Sequence, residues 1–256
     1  MEQLRKQFRS QIEDKTPFEL ARRYAYEYMD KIGDRHVYPT PEALRRLDVF
    51  QEPLPQKPGD PLEILHLLHA VGSPATVAQT GGRYFGFVNG NAIPAALAAK
   101  WLADVWDQNA AAYVTSPVVS ELESVCECWL SSLLGLPEDT AAGFVSGTST
   151  ATLCGLVAAR NYLLQRMGWD VGGKGLLGAP EIRVIVGEQA HATVFKALAL
   201  IGLGRARVTV VPADDQGRMM PERLPRLDER TLLVLQAGEV NTGAFDPLDP
   251  LCGAAS

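Results

Sequence analysis

The chain has 256 residues, 46% of them hydrophobic, and a formal net charge of −6 at pH 7. This composition predicts a globular protein with a substantial buried core. The acidic balance argues against a nucleic-acid partner, which would require a basic face. Lys100 and Asp104 interrupt the longest apolar stretch, so we expect no transmembrane helix and no membrane partner. Residues 1–6 are polar and do not resemble a secretory signal.

The first part of the chain has the pattern of several helices. Apolar residues recur at helical spacing through residues 2–33, and Pro17 suits a helix start within that stretch. Another short helix is expected at Pro41. Prolines crowd residues 51–61, which predicts an extended connector, and Pro61 then opens a further helix.

A glycine-rich segment with interspersed aromatic residues follows at residues 80–91. Two long helices are predicted after it, at about residues 92–111 and 118–134. We therefore divide the chain into a helical N-terminal segment, residues 1–80, and the first part of a larger domain, residues 81–256.

The segment at residues 143–152 reads Gly-Phe-Val-Ser-Gly-Thr-Ser-Thr-Ala-Thr, and its pattern predicts a strand, a tight turn and a helix ending near Met167. Gly147 would allow close approach of the backbone, and Thr148 and Ser149 would add hydroxyl groups. The unpaired N–H groups of a helix start bind phosphate well. The same residues are also ordinary helix caps, so both interpretations stay open at this point.

From residue 143 onward, short β-branched runs alternate with helical patterns. Strands are predicted at 182–187, 208–212 and 231–236, and helices at 191–202 and 220–228. This alternation predicts a doubly wound parallel sheet with right-handed crossovers, in which ligands bind at the carboxyl ends of the strands. We expect the turn at Gly147 and the loops after these strands to converge on one pocket.

Three common site motifs are missing from the 143–152 segment. The turn at Gly147 is neither the G-x-x-x-x-G-K-[ST] of a nucleotide P-loop nor a G-x-G-x-x-G fingerprint. A hydrolase nucleophile would need G-x-S-x-G, whereas residues 147–151 read Gly-Thr-Ser-Thr-Ala. The sequence therefore favours a phosphate turn of another kind over a hydrolase.

His191 differs from the other histidines because it follows a predicted strand and begins a helix. It could cap that helix, or its ring could stack on a planar cofactor. His66 and His69 share a helical face without a third ligand, so we expect packing or surface residues and no metal. The four cysteines form no C-x-x-C pair and are expected to be reduced, as in a cytoplasmic protein: Cys126, Cys128, Cys154 and Cys252.

Five segments together are more specific than any one of them. They are residues 82–86, Gly-Arg-Tyr-Phe-Gly; 116–123 with Ser-Pro and Glu-Leu-Glu; 147–160; 191–204; and 241–247, Asn-Thr-Gly-Ala-Phe-Asp-Pro. In this order they resemble the group II pyridoxal-phosphate-dependent amino acid decarboxylases, over roughly residues 60–256. The resemblance implies the type I PLP-transferase fold, an α/β large domain with a mostly parallel doubly wound sheet, behind a helical N-terminal segment.

The resemblance also implies a cofactor, a reaction and partners. Pyridoxal 5′-phosphate would be the cofactor, an amino acid the substrate and loss of carbon dioxide the reaction, in a cytoplasmic homodimer. His191 would be the catalytic residue that stacks on the cofactor ring. The remaining positions are cofactor-binding Gly147, Thr148, Ser149 and Thr242, and substrate-binding Tyr84 and Asn89.

One departure concerns the Schiff-base lysine and the aspartate that faces the pyridine nitrogen. The resemblance places both beyond residues 241–243, whereas the last lysine here is Lys196, at a helical position. Asp246 and Asp249 match acidic positions of the motif itself. The sequence therefore predicts a truncated portion of a decarboxylase that is inactive alone. A non-catalytic binding module of the same fold, and a related pyridoxal-phosphate-dependent carbon–carbon lyase, remain alternatives.

Overall fold

A computed structural model of the chain describes residues 1–90 and 93–255. They fall into two units, Met1–Trp106 and Asp107–Ser256. The domain boundary that the sequence predicts between residues 80 and 81 stays a prediction. None of the helices in the described residues is long and apolar enough to span a membrane.

The first unit is helical, as predicted. Its α-helices are α1 (Glu2–Glu13), α2 (Thr16–Lys31), α3 (Pro41–Arg45), α4 (Pro61–Leu67) and α5 (Pro94–Trp106). Proline occupies the first turn of α2, α3 and α4, where its missing N–H would be unpaired in any case. Helix α5 ends five residues before the predicted 111, and the predicted start at residue 92 lies outside the described residues.

Helices α2 and α4 are joined by an aromatic cluster. The ring of His69 stacks on that of Tyr24, with 3.7 Å between centroids, and the Tyr24 hydroxyl bonds to Nδ1 of His66. Nε2 of His69 lies 3.3 Å from a carboxylate oxygen of Glu27. His66 and His69 are therefore packing residues, in agreement with the sequence.

In its described residues, the second unit combines five α-helices with a small sheet. The helices are α6 (Pro117–Leu133), α7 (Thr148–Arg166), α8 (Val171–Lys174), α9 (Ala192–Leu200) and α10 (Leu248–Ala255). The strands are β1 (Arg183–Gly187), β2 (Val208–Val211) and β3 (Thr231–Val234).

The three strands are parallel, in the order β2-β1-β3. In the centre of the sheet, Val184 pairs with Val208 on one side and Leu232 on the other. Helix α9 makes the crossover from β1 to β2. The predicted parallel sheet is confirmed, with strands one or two residues shorter than the apolar runs.

Both faces of β1 are covered. Val184 and Val186 face a cluster that includes Leu156 of α7 and Leu198 of α9. Ile185, which points to the opposite face, is fully buried in a second cluster. The other members of that cluster are Val211, Met219 and Leu251. Burial on both faces explains why the strand is a continuous apolar run instead of an alternating pattern.

Two predicted elements are wrong. Residues 143–146 form no strand among the described residues, and Phe144 and Val145 are 48% and 40% exposed. The predicted helix at 220–228 is only a 3₁₀ turn, Pro221–Arg223. Pro225 explains the second error, because proline disfavours helical geometry in the residue before it and lacks an N–H.

Candidate functional site

The first turn of α7 has the properties of an anion site. Gly147 precedes the helix with an extended backbone and makes no side-chain cap, and a Cβ built on it would meet nothing within 4 Å. The N–H groups of Thr150 and Ala151 bond to the carbonyl of Gly147. Those of Thr148 and Ser149 have no acceptor in the part of the chain that the structure describes. An incoming phosphate would therefore find free N–H donors, exposed hydroxyls and no steric block.

His191 caps α9. Its Nδ1 accepts a hydrogen bond from the backbone N–H of Thr193 at 3.2 Å and lies 2.8 Å from the Thr193 hydroxyl. The residue is exposed, so its ring is accessible from solvent. The capping interpretation is thus realised in the geometry. It fixes the tautomer at Nδ1 as an acceptor, which leaves Nε2 as the N–H of a neutral ring.

The loops after the three strands meet at the carboxyl end of the sheet. The Glu188 carboxylate accepts a hydrogen bond from the N–H of Ala213 at 3.1 Å, which joins the loop after β1 to the loop after β2. Gly217 has φ +80°, and a Cβ there would lie 2.9 Å from Cγ of Glu239 and 3.5 Å from Cγ of Gln189. The loops that carry His191 and Thr242 therefore lie together around a glycine that leaves no room for a side chain, whereas the convergence of the turn at Gly147 with them stays a prediction.

Glu239 organises the loop after β3. Its carboxylate is buried and accepts hydrogen bonds from the N–H of Asn241 at 2.7 Å, from Nδ2 of Asn241 at 2.8 Å and from the N–H of Thr242 at 2.9 Å. The bond from the Thr242 N–H, followed by those from Asn241, holds the pKa of Glu239 below its ordinary value. The carboxylate is therefore anionic at neutral pH and fixes the turn around itself.

Thr242 is placed by that turn. Its hydroxyl donates to the carbonyl of Gln216 at 2.8 Å and accepts from the N–H of Ala244 at 3.2 Å. The same hydroxyl lies 3.3 Å from the Glu239 carboxylate. The one hydroxyl proton is thus engaged within the protein, and Thr242 links the loop after β3 to the turn after β2.

Asp246 makes a second link between the same loops. Only 6% exposed, its carboxylate accepts from the N–H groups of Met219 and Gln236, both at 2.7 Å. The backbone N–H of Asp246 returns a bond to the Gln236 carbonyl at 3.0 Å. The loop after β3 is therefore closed at its base by Asp246 and near its tip by Glu239.

Tyr84 and Asn89 lie in the first unit, whereas the other five predicted site residues lie in the second. Nδ2 of Asn89 donates to the Tyr84 hydroxyl at 2.9 Å, so the two side chains do lie together. Between them, Phe87 and Val88 have φ values of +56° and +53°. Such backbone conformations are costly for bulky and β-branched residues and cluster in functional loops.

The roles of Glu239 and Asp246 were not predicted from the sequence. A weak signal existed for Glu239, because a carboxylate followed closely by Asn and Thr at a strand end suits local side-chain-to-backbone bonds. Asp246 bonds to Met219, 27 residues away, and no local pattern announces that contact.

The cysteines and acidic residues form no metal site in the described ranges, 1–90 and 93–255. Cys126, Cys128 and Cys154 form no disulfide within the described residues, and Cys128, Cys154 and Cys252 are exposed.

Comparison with known proteins gives a family match over most of the chain. Residues 41–255 match the family model described as the pyridoxal-dependent decarboxylase conserved domain. The acidic amino acid decarboxylase GADL1 of Xenopus tropicalis is 29% identical over 163 residues, 60% of this chain and 31% of that relative. Tryptophan decarboxylase 1 of Oryza sativa subsp. japonica is 28% identical over 194 residues, 68% of this chain and 37% of that relative.

A solved structure shows the same fold. The crystal structure of Oryza sativa TDC with PLP and tryptamine superposes with a TM-score of 0.81 at 22% sequence identity, over 94% of this chain and 52% of that one. The chain therefore spans about half the length of the solved protein, and less of the two curated relatives.

Proposed function

This chain belongs to the pyridoxal-dependent decarboxylase family, whose cofactor is pyridoxal 5′-phosphate, and we propose that a protein containing it decarboxylates an amino acid. The observation that carries the proposal is the first turn of α7, where Gly147 and two free N–H groups offer a phosphate site in a chain of this family. The cofactor supplies an electron sink for the pair of electrons left when carbon dioxide departs.

The residues of the second unit have distinct roles in this proposal. The N–H groups and hydroxyls of Thr148 and Ser149 bind the phosphate, and Gly147 admits it. The exposed ring of His191 stacks on the pyridine ring while its Nδ1 stays bonded to Thr193. Thr242 lies at the edge of the site, and because its hydroxyl is engaged with Gln216, its contribution is to fix the loop.

Substrate contact is proposed for Tyr84 and Asn89. The Tyr84 hydroxyl accepts from Asn89 and keeps its own proton, which it can donate to an anionic group of a substrate. The substrate class in the proposal is an amino acid, because the names of the relatives include both acidic amino acids and tryptophan.

A homodimer in the cytoplasm completes the proposal. Leu4, Phe8 and Ile12 form an apolar stripe on α1 and are 66%, 65% and 54% exposed, which a second copy of the chain would cover. Cys126, Cys128 and Cys154, which form no disulfide within the described residues, suit a reducing compartment. Light scattering of the parent and of Phe8→Glu tests the dimer, and an unchanged mass would contradict a role for this stripe.

Phosphate binding is tested by calorimetry with pyridoxamine 5′-phosphate. This probe carries no aldehyde, so it does not react with surface lysines. The double variant Thr148→Ala, Ser149→Ala should bind about tenfold more weakly, because hydrogen bonds to a charged group are lost. Thr152→Ala, one turn further along α7, is the matched control and should bind like the parent. Equal affinity of the double variant and the parent would refute the site.

Turnover is tested by carbon dioxide release from acidic and aromatic amino acids. We expect none from the 256 residues alone, because Lys196 is their last lysine and the resemblance places the Schiff-base lysine after residues 241–243. Carbon dioxide release, together with a borohydride-reduced adduct at one specific lysine, would contradict this expectation.

A further inference from the structure

Within the proposed cofactor site, we infer that Glu239 is a positioning residue that couples the loop after β3 to the turn after β2 through Thr242. The inference rests on the proposed function for its effect on the cofactor. The coupling itself rests on hydrogen bonds between residues of the chain.

The first step is the shape that Glu239 imposes on its own loop. The carboxylate accepts three hydrogen bonds from Asn241 and Thr242, at 2.7, 2.8 and 2.9 Å. The Glu239 backbone closes the same turn, since its N–H bonds to the carbonyl of Ala244 and its carbonyl accepts from Gly243, both at 2.8 Å. The turn from 239 to 244 is therefore bonded both through its main chain and through one buried side chain.

The second step is the contact between loops. With its N–H held by Glu239, Thr242 donates its hydroxyl proton to the Gln216 carbonyl at 2.8 Å. Gln216 belongs to a turn that Asp214 holds, through hydrogen bonds from the N–H groups of Gln216 and Arg218, both at 2.9 Å. One turn organised by a carboxylate thus bonds to another.

The third step is the fit between the two turns. A side chain at Gly217 would collide with Cγ of Glu239 at 2.9 Å, so the stem of Glu239 packs directly on the neighbouring backbone. Gln189, two residues before His191, lies near the same position, 3.5 Å from a Cβ built on Gly217. Glu239 therefore packs close to the loop that carries the residue proposed to stack on the cofactor.

A matched control exists at the other end of β3. The carboxylate of Asp228 accepts from the hydroxyl of Thr231 at 2.7 Å and from the N–H of Arg230 at 3.1 Å. The turn at Asp228 is thus also organised by a carboxylate and followed by a threonine. However, this turn lies before β3, away from the proposed site. Asp228→Asn and Glu239→Gln remove the same kind of acceptor at opposite ends.

The first measurement is hydrogen exchange of the ligand-free chain. In Glu239→Gln, amides of residues 241–243 and also of 216–219 should exchange faster than in the parent. In Asp228→Asn, faster exchange should be confined to the neighbourhood of residues 228–231. Parent-like exchange at 216–219 in Glu239→Gln would overturn the coupling, whatever the chain binds.

The second measurement is the affinity for pyridoxamine 5′-phosphate at matched stability, with temperature chosen so that both variants are equally folded. Glu239→Gln should bind about fivefold more weakly than Asp228→Asn. Thr242→Ser, which keeps the hydroxyl, should bind like the parent, whereas Thr242→Val should bind like Glu239→Gln. If Glu239→Gln and Asp228→Asn bound the probe equally weakly, the effect would be a general loss of stability, and the positioning role would be overturned.

The two proposals fail separately. A parent chain that does not bind pyridoxamine 5′-phosphate, with the exchange pattern as expected, refutes the proposed function and supports the loop coupling. A parent chain that binds, with a Glu239→Gln variant that exchanges and binds like the parent, refutes the positioning role and supports the proposed function.

Discussion

The two ends of the parallel sheet differ in whether carboxylates join separate loops, although local carboxylate turns such as that of Asp214 occur at the carboxyl end too. At the carboxyl end, Asp246 and Glu188 accept from backbone N–H groups 27 and 25 residues away, and they hold separate loops together. At the amino end, Asp228 bonds only to residues two and three positions ahead. The Arg207–Glu181 ion pair, also before the strands, is 65% and 70% exposed.

This difference shows at which end of the sheet hydrogen bonds to carboxylates fix the relative positions of the loops. An exposed ion pair contributes little to stability, and a local carboxylate turn orders only its own residues. Asp246, a buried carboxylate that bonds to a distant loop, fixes the relative position of two segments, which a binding site requires, and Glu188 makes an exposed link of the same kind. The amino end of the sheet can therefore vary more freely than the carboxyl end.

Removal of Asp246 is the strongest test of the difference between the two ends of the sheet. Asp246→Ala leaves the N–H groups of Met219 and Gln236 without their buried acceptor. We expect a loss of about 3 kcal/mol in the free energy of unfolding, because hydrogen bonds to charged groups contribute about 1.5–3 kcal/mol each. Urea denaturation at pH 7 measures it. Asp228→Ala at the amino end should cost clearly less, and equal losses would contradict the distinction between the two ends.

Two glycines provide a second test of the difference between the two ends. Gly217 and Gly204 have φ values of +80° and +76°, so alanine is strained at both. A Cβ at Gly217 would lie 2.9 Å from Glu239, whereas one at Gly204 would lie 3.6 Å from the nearest atom of Arg207, an ordinary contact. Gly204→Ala should cost about 1 kcal/mol in thermal unfolding and Gly217→Ala about 2 kcal/mol. If the two variants melted alike, close packing of the loops at the carboxyl end would be disproved.

His191 allows capping and stacking to be separated. His191→Ala should lower the stability by about 1 kcal/mol, because the cap on Thr193 is lost. His191→Asn keeps a capping acceptor and should melt like the parent. Both variants should bind pyridoxamine 5′-phosphate more weakly, by the 0.5–1.5 kcal/mol that is typical of aromatic pairs, about 2- to 12-fold. Parent-like affinity of His191→Asn would leave His191 as a cap alone.

The smallest expected difference is in how stability depends on pH in the acid range. The pKa values of Glu239 and Asp228 are both lowered, chiefly by the Thr242 N–H in the first case and by the Thr231 hydroxyl in the second. Their contribution to stability is therefore present above the unfolded-state pKa values of about 4 and is lost as pH falls through the lower folded-state values. Glu239→Gln and Asp228→Asn should each flatten the acid limb of stability against pH, measured by urea midpoints. Parent-like slopes in both variants would contradict the lowered pKa values.

Much of the sheet could be predicted from sequence because each strand is a short apolar run, and the central strand β1 is buried along most of its length. The strands β1, β2 and β3 lie within the predicted runs. The segment at 143–146 is also short and partly apolar, but in the described part of the chain it pairs with no strand, and pairing cannot be read from composition. The helix predicted at 220–228 had suitable apolar spacing, and Pro225 prevented it.

The candidate site was predicted only where its features are local in the sequence. The first turn of α7 and the start of α9 are local features, and their residues could be recognised along the chain. The bonds of Asp246 and Glu188 span more than twenty residues and arise only when the loops are stacked. Glu239 combines both kinds of contact, and only its local bonds left a signal in the sequence.

The central position of β1 has a consequence for how the chain folds during synthesis. Val184 pairs first with Val208, across the short crossover through α9, and with Leu232 only when a longer stretch has been made. In that interval, one edge of an apolar strand stays unpaired, and such an edge can pair with another chain. A nascent chain therefore most needs protection from neighbouring chains before β3 has been synthesised. This follows from the order of the strands in the sheet.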